Sequence, residues 1–552
     1  MRVRRSGPGV FTAAAVAIVA CGGAGKGGAT RGAGGAPHDG AAGDSAAVAV
    51  TPTAATCDAP LTAIDTSSGG TVVGTGTAAS CTAQALSAAV AAGGIVTFDC
   101  GGAATIAVGS PITLSIIKDT VIDGGGQVVL DGGGTTRVLD FESPNYRATT
   151  TTVTLEHLTI AHGKATGTAI AQAPPPCSQG TGIDGGGAGI FVRDGILHVV
   201  DVTFDDNHAA ALGPDVGGGA IYATGSLGVV VVGSRFTSNS GSNGGAIGSL
   251  NSDLTVVDAT FAGNQATGEG ENTIDSACAV NGGESGNGGN SGAIGIDGGS
   301  DGKVTICGCT FANNSAGALA GAIGRTADNA TQTVAIDRST FDGNTSVDGG
   351  GALYIHNCDL DITASTFSNN SAPGAGAIQA DSTTIDFVND TFSGNSALKG
   401  LGGALSLFSN GGTIQSCTFA ENHSDGGSGL FAAAIAGGTT LTIEDTIFAN
   451  NTTQDCGSPM TCQDGSSSGQ ANLQWPTVHD VCSGADSPCT TTGTQFADPQ
   501  LGPLGDNGGP TQTMVPAAGS PAAGAGVMCP ATDQRGNARK VSGCTVGAVE
   551  LP

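Results

Sequence analysis

Gly351-Ala352-Leu353-Tyr354-Ile355-His356-Asn357-Cys358-Asp359-Leu360-Asp361-Ile362-Thr363-Ala364-Ser365-Thr366-Phe367-Ser368-Asn369-Asn370 decides the fold, because its pattern recurs along the chain. A Phe followed three residues later by Asn occurs nine times, from Phe204 and Asn207 to Phe448 and Asn451. The intervals between these phenylalanines run from 25 to 32 residues, with one of 50 between Phe261 and Phe311. A Gly-Ala-apolar step, such as Gly321-Ala322-Ile323 or Gly376-Ala377-Ile378, lies between most of them. Five residues before each Phe stands a large apolar residue, for example Ile336, Ile362 and Phe387; seven before, only Gly412 breaks the apolar rule. Apolar residues two apart share one face of a strand. The Phe falls out of that parity, so the chain must bend before reaching it. Each unit therefore reads as two or three short strands joined by Gly and Asn turns.

A short all-strand unit cannot bury its own apolar face, but a stack of such units can. The expected fold is all-β, a right-handed parallel β-helix of about 25-residue coils with N- and C-terminal caps. Its handedness follows the general preference of parallel crossovers. Like residues then lie about 4.8 Å apart in ladders of Phe, aliphatics and Asn. Hexapeptide left-handed coils, leucine-rich repeats and calcium-binding nonapeptides each require spacings that this sequence lacks.

Composition agrees. Of 552 residues 96 are Gly, only 12% are charged, and the net charge is −28. That charge repels phosphate backbones and excludes nucleic acid as a partner. Arg2, Arg4 and Arg5 precede an apolar run from Val10 to Ala20, the layout of a secretory signal over residues 1–20. At 11 residues the run is too short to span a bilayer, which needs about 20. Ile18-Val19-Ala20-Cys21, followed by Gly22, resembles a bacterial lipobox. The resemblance implies cleavage before Cys21, lipid on its thiol and display at the outer membrane; plain secretion is the alternative. Residues 21–56 read as a flexible Gly/Ala-rich tether.

The remaining organisation is read as an N-terminal cap and first coils over 57–145, repeats over 146–455, a Cys-rich irregular segment over 456–495 and a closing region over 496–552. An Ala-rich helix within 81–92 is expected to cover the first coil. Two insertions, 164–186 and 266–290, interrupt the stack. Sixteen cysteines fit an oxidising compartment. Close spacing suggests the local pairs Cys81 with Cys100, Cys456 with Cys462, Cys482 with Cys489 and Cys529 with Cys544. Lipid on Cys21 leaves an odd number, so at least one thiol is free or paired elsewhere.

The Gly-Gly-Ala-Ile and Phe-x-x-Asn steps resemble the repeats of chlamydial polymorphic outer-membrane proteins, within the pectin-lyase-like superfamily of right-handed β-helices. Asp498-Pro499-Gln500-Leu501-Gly502-Pro503-Leu504, Asn507-Gly508-Gly509-Pro510-Thr511 and Asp533-Gln534-Arg535-Gly536 resemble choice-of-anchor Q domain proteins, as does the stretch from Cys81 to Cys100. These resemblances imply a bacterial cell-surface protein that adheres to, or binds, a polysaccharide or other surface ligand. The superfamily also holds polysaccharide lyases and hydrolases, so a divergent enzyme is the alternative and a structural envelope protein the third reading. None of the lyase or polygalacturonase signatures is present. Asp361 and Asp386, each six residues before its Phe, should stack on the outer face of adjacent coils. There they could share a Ca2+, and no other cofactor is expected. Arg338 is the nearest basic residue and is expected around the bend as a surface charge. Thr366 is expected to face solvent.

Overall fold

The computed structural model describes residues 57–552 except 168–184, 214–215, 269–287, 298–301, 327–331, 401, 409–410, 426–431, 433, 438–439, 455, 457–459 and 464–466. Cys21 and most of both insertions lie outside the described residues. A regular coil contains four short strands rather than two or three: Leu353–His356, Asp359–Thr363, Thr366–Ser368 and Ser371–Ala372. Each pairs in parallel with its equivalent in the next coil, as Leu353 with Ile378, Leu360 with Ile385, Phe367 with Phe392 and Ser371 with Ser396. The stack forms a 12-stranded sheet from the first strands, an 8-stranded sheet from the fourth and a 26-stranded sheet that includes the second and third. The protein is a parallel β-helix.

The bend before each Phe has a local cause. The residue three before it, such as Asp258, Arg338, Ala364 or Ser416, has a φ between 46° and 66°. One left-handed residue turns the chain by a corner and returns the Phe to the interior. The nine phenylalanines are fully buried and stack with ring centroids 4.6–5.2 Å apart. The asparagines form a second ladder. Asn344 Nδ2 donates to Asn370 Oδ1 at 3.0 Å and to the Phe311 carbonyl at 2.9 Å, and Asn370 repeats this with Asn395 and Phe341. From Asn207 to Asn422 both side-chain amide protons on this ladder thus have an acceptor, which removes the cost of burying them.

The helix Ala83–Ala92 covers the first coil. Thr82 accepts the Ala85 N–H, Gly93 ends the helix at φ 65°, and Leu86, Ala89 and Val90 are buried. The C-terminal segment differs from expectation. Residues 511–548 lie along the flank of the stack, over the outer face of the Phe strands. Gln534 Nε2 donates to Thr366 Oγ1 at 2.8 Å and to Thr511 Oγ1 at 2.9 Å, while its Oε1 accepts from Thr391 at 2.6 Å. Arg539 donates to Asn389 Oδ1 and to the Thr545 and Gly547 carbonyls. Thr366 is consequently buried, not solvent-facing, and donates to the Gln512 carbonyl at 2.6 Å.

Cys81 pairs with Cys100 and Cys529 with Cys544. The other two local pairings are corrected: Cys456 bonds Cys482 and Cys462 bonds Cys489, at separations of 26 and 27 residues. That separation is one coil, so stacking brings together residues that closeness in sequence does not. Cys57 bonds Cys307 across 250 residues. It pins residues 57–66 as a strap along the outside of the stack. Cys309, Cys358 and Cys417 are free and buried. Burial pushes the Cys309 thiol up to about 12 and Cys358 to about 11.

Candidate functional site

Asp361 and Asp386 stand directly opposite each other on neighbouring strands, both exposed. Their column continues into Ala335 on one side and Thr413 on the other. Thr413 donates its hydroxyl to Asp386 Oδ1. Partial burial, then the charges of Asp386 and Asp359, raise the Asp361 carboxyl above its ordinary value. Among the described residues, the sets of three or more side chains able to share a cation lie elsewhere. The acidic pair is therefore in register, without a third such side chain to complete a calcium site.

Arg338 lies around the bend, as its offset requires. Its Nε donates to Asp337 Oδ2 at 2.8 Å. With Thr363, Ala364 and residues 509–510 and 532–536 it lines a cleft of about 540 Å3 between the stack and the C-terminal cover. On the opposite wall Arg535 pairs with Asp533 at 2.8 Å. The guanidinium of Arg338 is thus held at Asp337, away from a role beside the Asp361–Asp386 pair.

A different face is shaped to receive a ligand. The fourth residue of each Gly-Ala-apolar step points outward from the 12-stranded sheet. Successive coils place Tyr222, Gly248, Gly295, Gly324, Tyr354 and Gln379 in one column. Three glycines between two tyrosines make a trough four strand spacings long, about 19 Å, partly filled by the buried Tyr222 ring over Gly248 and by Ser291 over Gly324, with about 80 Å3 left open. The glycines are required by packing. A Cβ on Gly248 would stand 2.7 Å from the Tyr222 ring, one on Gly295 3.0 Å from the Gly244 nitrogen, and one on Gly324 3.2 Å from Ala320 Cβ. The bends before the strands tuck against this floor and form one wall, through Asn243, Asn290 and Leu319. Leu250 and Asp297 border the strand side.

The tyrosines are braced. Tyr222 stacks on Phe191 at 6.1 Å, whose ring lies 4.7 Å from the Arg137 guanidinium. Tyr354 donates its hydroxyl to Asp381 Oδ2 at 3.0 Å. Beneath the floor, Arg325 points into the stack, almost fully buried, and donates to the Gly302 carbonyl at 2.8 Å. Burial lowers its pKa, while Cys358 and Asp297 oppose that shift. The sequence contained the signal for this face: Gly in place of Tyr, Gln or Ser after the Gly-Ala-Ile of three successive coils. Its meaning appears only when those coils are superposed.

Residues 322–496 match the family model described as right handed beta helix region, and residues 201–224 match the Chlamydia polymorphic membrane protein repeat. No curated protein matches the sequence. Among solved structures, the chain is similar to tailspike protein 3 of bacteriophage CBA120, with 12% identity and a TM-score of 0.36, over 76% of this chain and 62% of that one. It is also similar to PfbA, a surface adhesin of Streptococcus pneumoniae, with 13% identity and a TM-score of 0.32, over 73% of this chain and 92% of that one. The chain thus spans less than two thirds of the tailspike protein's length. Among the described residues, no helix is long and apolar enough to cross a membrane.

Proposed function

We propose that this right-handed β-helix protein, one of whose coils matches the polymorphic membrane protein repeat, is displayed on a bacterial surface and binds a neutral carbohydrate chain along the trough between Tyr222 and Tyr354. The pocket that the glycine column leaves beside the half-buried, braced Tyr354 carries the reading. The open part of the trough, about 80 Å3, admits part of one sugar unit while the rest of the chain runs over the surface beside it. The Tyr354 ring offers a face to its C–H surface, and the few polar groups, Asn243, Asn290 and Asp297, supply orientation. Bracing of both rings limits the ordering cost on binding. A net charge of −28 disfavours polyanionic chains. Five disulfides among the described residues support an exported protein. Lipid on Cys21 would provide the anchor.

Binding is favoured over hydrolysis by the residues on the walls. Asp297 is the one carboxylate among the described lining residues, whereas glycoside hydrolysis uses two. Arg325 also borders the pocket, but it is almost fully buried and engaged with the Gly302 carbonyl. A glycan array, followed by calorimetry on the strongest neutral hit, tests the reading. Tyr354→Ala should weaken binding at least tenfold with an unchanged melting curve, and Arg338→Ala in the other cleft should not. The opposite pattern would move the site to the C-terminal cleft. Release of reducing ends or unsaturated products from the hit would replace binding by turnover.

A further inference from the structure

A second chemistry lies at the other end of the molecule, where the N-terminal strap meets the first coils. The strap begins at the Cys57–Cys307 disulfide. At its far end the Ile64 N–H donates to Glu156 Oε2 at 2.9 Å, and Thr66 Oγ1 donates to Asp123 Oδ2 at 2.5 Å. Asp123 and Glu156 are register partners on adjacent strands. His157, held at φ 49°, follows Glu156 around the corner and brings Nδ1 to 3.1 Å from Asp123 Oδ1. Ligand atoms of Asp123, Glu156 and His157 all lie within 4.8 Å of one another.

Glu156 is the observation that lifts this above a surface acidic cluster. Its side chain is completely buried beneath the strap, and its Oε1 has no hydrogen-bond partner. A buried carboxylate oxygen left bare beside a second carboxylate is costly unless a cation or a proton meets it, and burial raises the Glu156 carboxyl above its ordinary value. The nearest cationic candidate is the His157 imidazole, which is shared with Asp123 and has its Nε2 3.8 Å from Asp201 Oδ2. The other three-residue set among the described residues, Cys57, Cys307 and Asp337, cannot compete, because both sulfurs are in the disulfide.

We infer that Asp123, Glu156 and His157 form a site for a divalent transition-metal cation, Zn2+ or a similar ion, that ties the far end of the N-terminal strap to the stack. Two carboxylates with one imidazole suit such ions, whereas calcium favours oxygen ligands alone. The cation would neutralise the bare Glu156 oxygen. It would also hold the carboxylates that accept from Ile64 and Thr66, so the strap is fixed covalently at Cys57 and, at its other end, by hydrogen bonds to carboxylates that the metal positions.

The test uses the full exported chain, stripped with chelator, loaded with ZnCl2, desalted and assayed for metal by mass spectrometry and for stability by thermal melting. The expected result is one retained zinc per chain and a rise in melting temperature, both lost in Glu156→Gln. His157→Gln provides a second variant should the first fold poorly. No retained zinc in the parent chain, equal retention in both variants, or retention of calcium in place of zinc would each overturn the assignment.

Discussion

The repeats around Phe341–Phe419 and the C-terminal cover 496–552 are stabilised in opposite ways. In the repeats, one interaction set is copied coil after coil: a stacked Phe, an Asn with both amide protons bonded, and an aliphatic five residues earlier. In the cover, each contact occurs once. Gln534 reaches Thr366 across 168 residues, Arg539 reaches Asn389 across 150, and the Val527 and Met528 amides donate to Asp445 across 82 and 83. A copied interaction leaves a period in the sequence; a single long-range bond leaves none. The two regions should therefore differ in how damage spreads.

Phe367→Ala should give the largest loss, about 3–5 kcal/mol, because a ring stacked on both sides leaves a cavity that rigid coils cannot close. Denaturant melts measure it. A loss near that of a surface substitution would mean that the ladder is dispensable. Gln534→Ala should cost less, about 1–3 kcal/mol, from the hydroxyls and carbonyl left unmet beneath the cover. It should also raise proteolysis within 496–552 while leaving the repeats intact. If the two regions unfold together in the variant, the cover is not a separate layer.

These predictions mark what the sequence made legible. The Phe, Asn and aliphatic ladders could be placed because parity and period depend only on strand geometry. Thr366 could not be placed correctly, since parity directs it outward and nothing local indicates that residue 512 will lie over it. The same reason explains the crossed disulfides at Cys456–Cys482 and Cys462–Cys489, where stacking outweighs proximity in sequence. At the candidate site, the Asp361–Asp386 register followed from the offset to Phe. The trough did not, because its signal is three glycines in three different coils. Glu156 was likewise hidden, its role depending on a strap that begins at Cys57.

Thr366→Ala sharpens the comparison further. It should cost about 1–2 kcal/mol, the price of a buried hydroxyl with two partners, and not the few tenths of a solvent-facing threonine. A neutral result would detach the cover from this coil. The smallest effect is expected at Asp361→Asn. The folded state raises this carboxyl above its ordinary value near 3.8, so the folded state binds more protons and loses stability as pH rises through and above that value. The variant should gain about 0.2–1 kcal/mol at neutral pH, in keeping with a screened surface pair, and nothing below about pH 3. A gain that persists in strong acid would assign the effect to something other than charge.

The claim that the outer face of the 12-stranded sheet is the working surface is tested most directly by hydroxyl-radical footprinting of the protein with and without its strongest neutral glycan ligand. Protection of Tyr354, Leu319 and Leu250, with no change at Pro510 or Arg535, is the predicted result. Protection confined to Pro510 and Arg535, with Tyr354 as reactive as in the free protein, would contradict it.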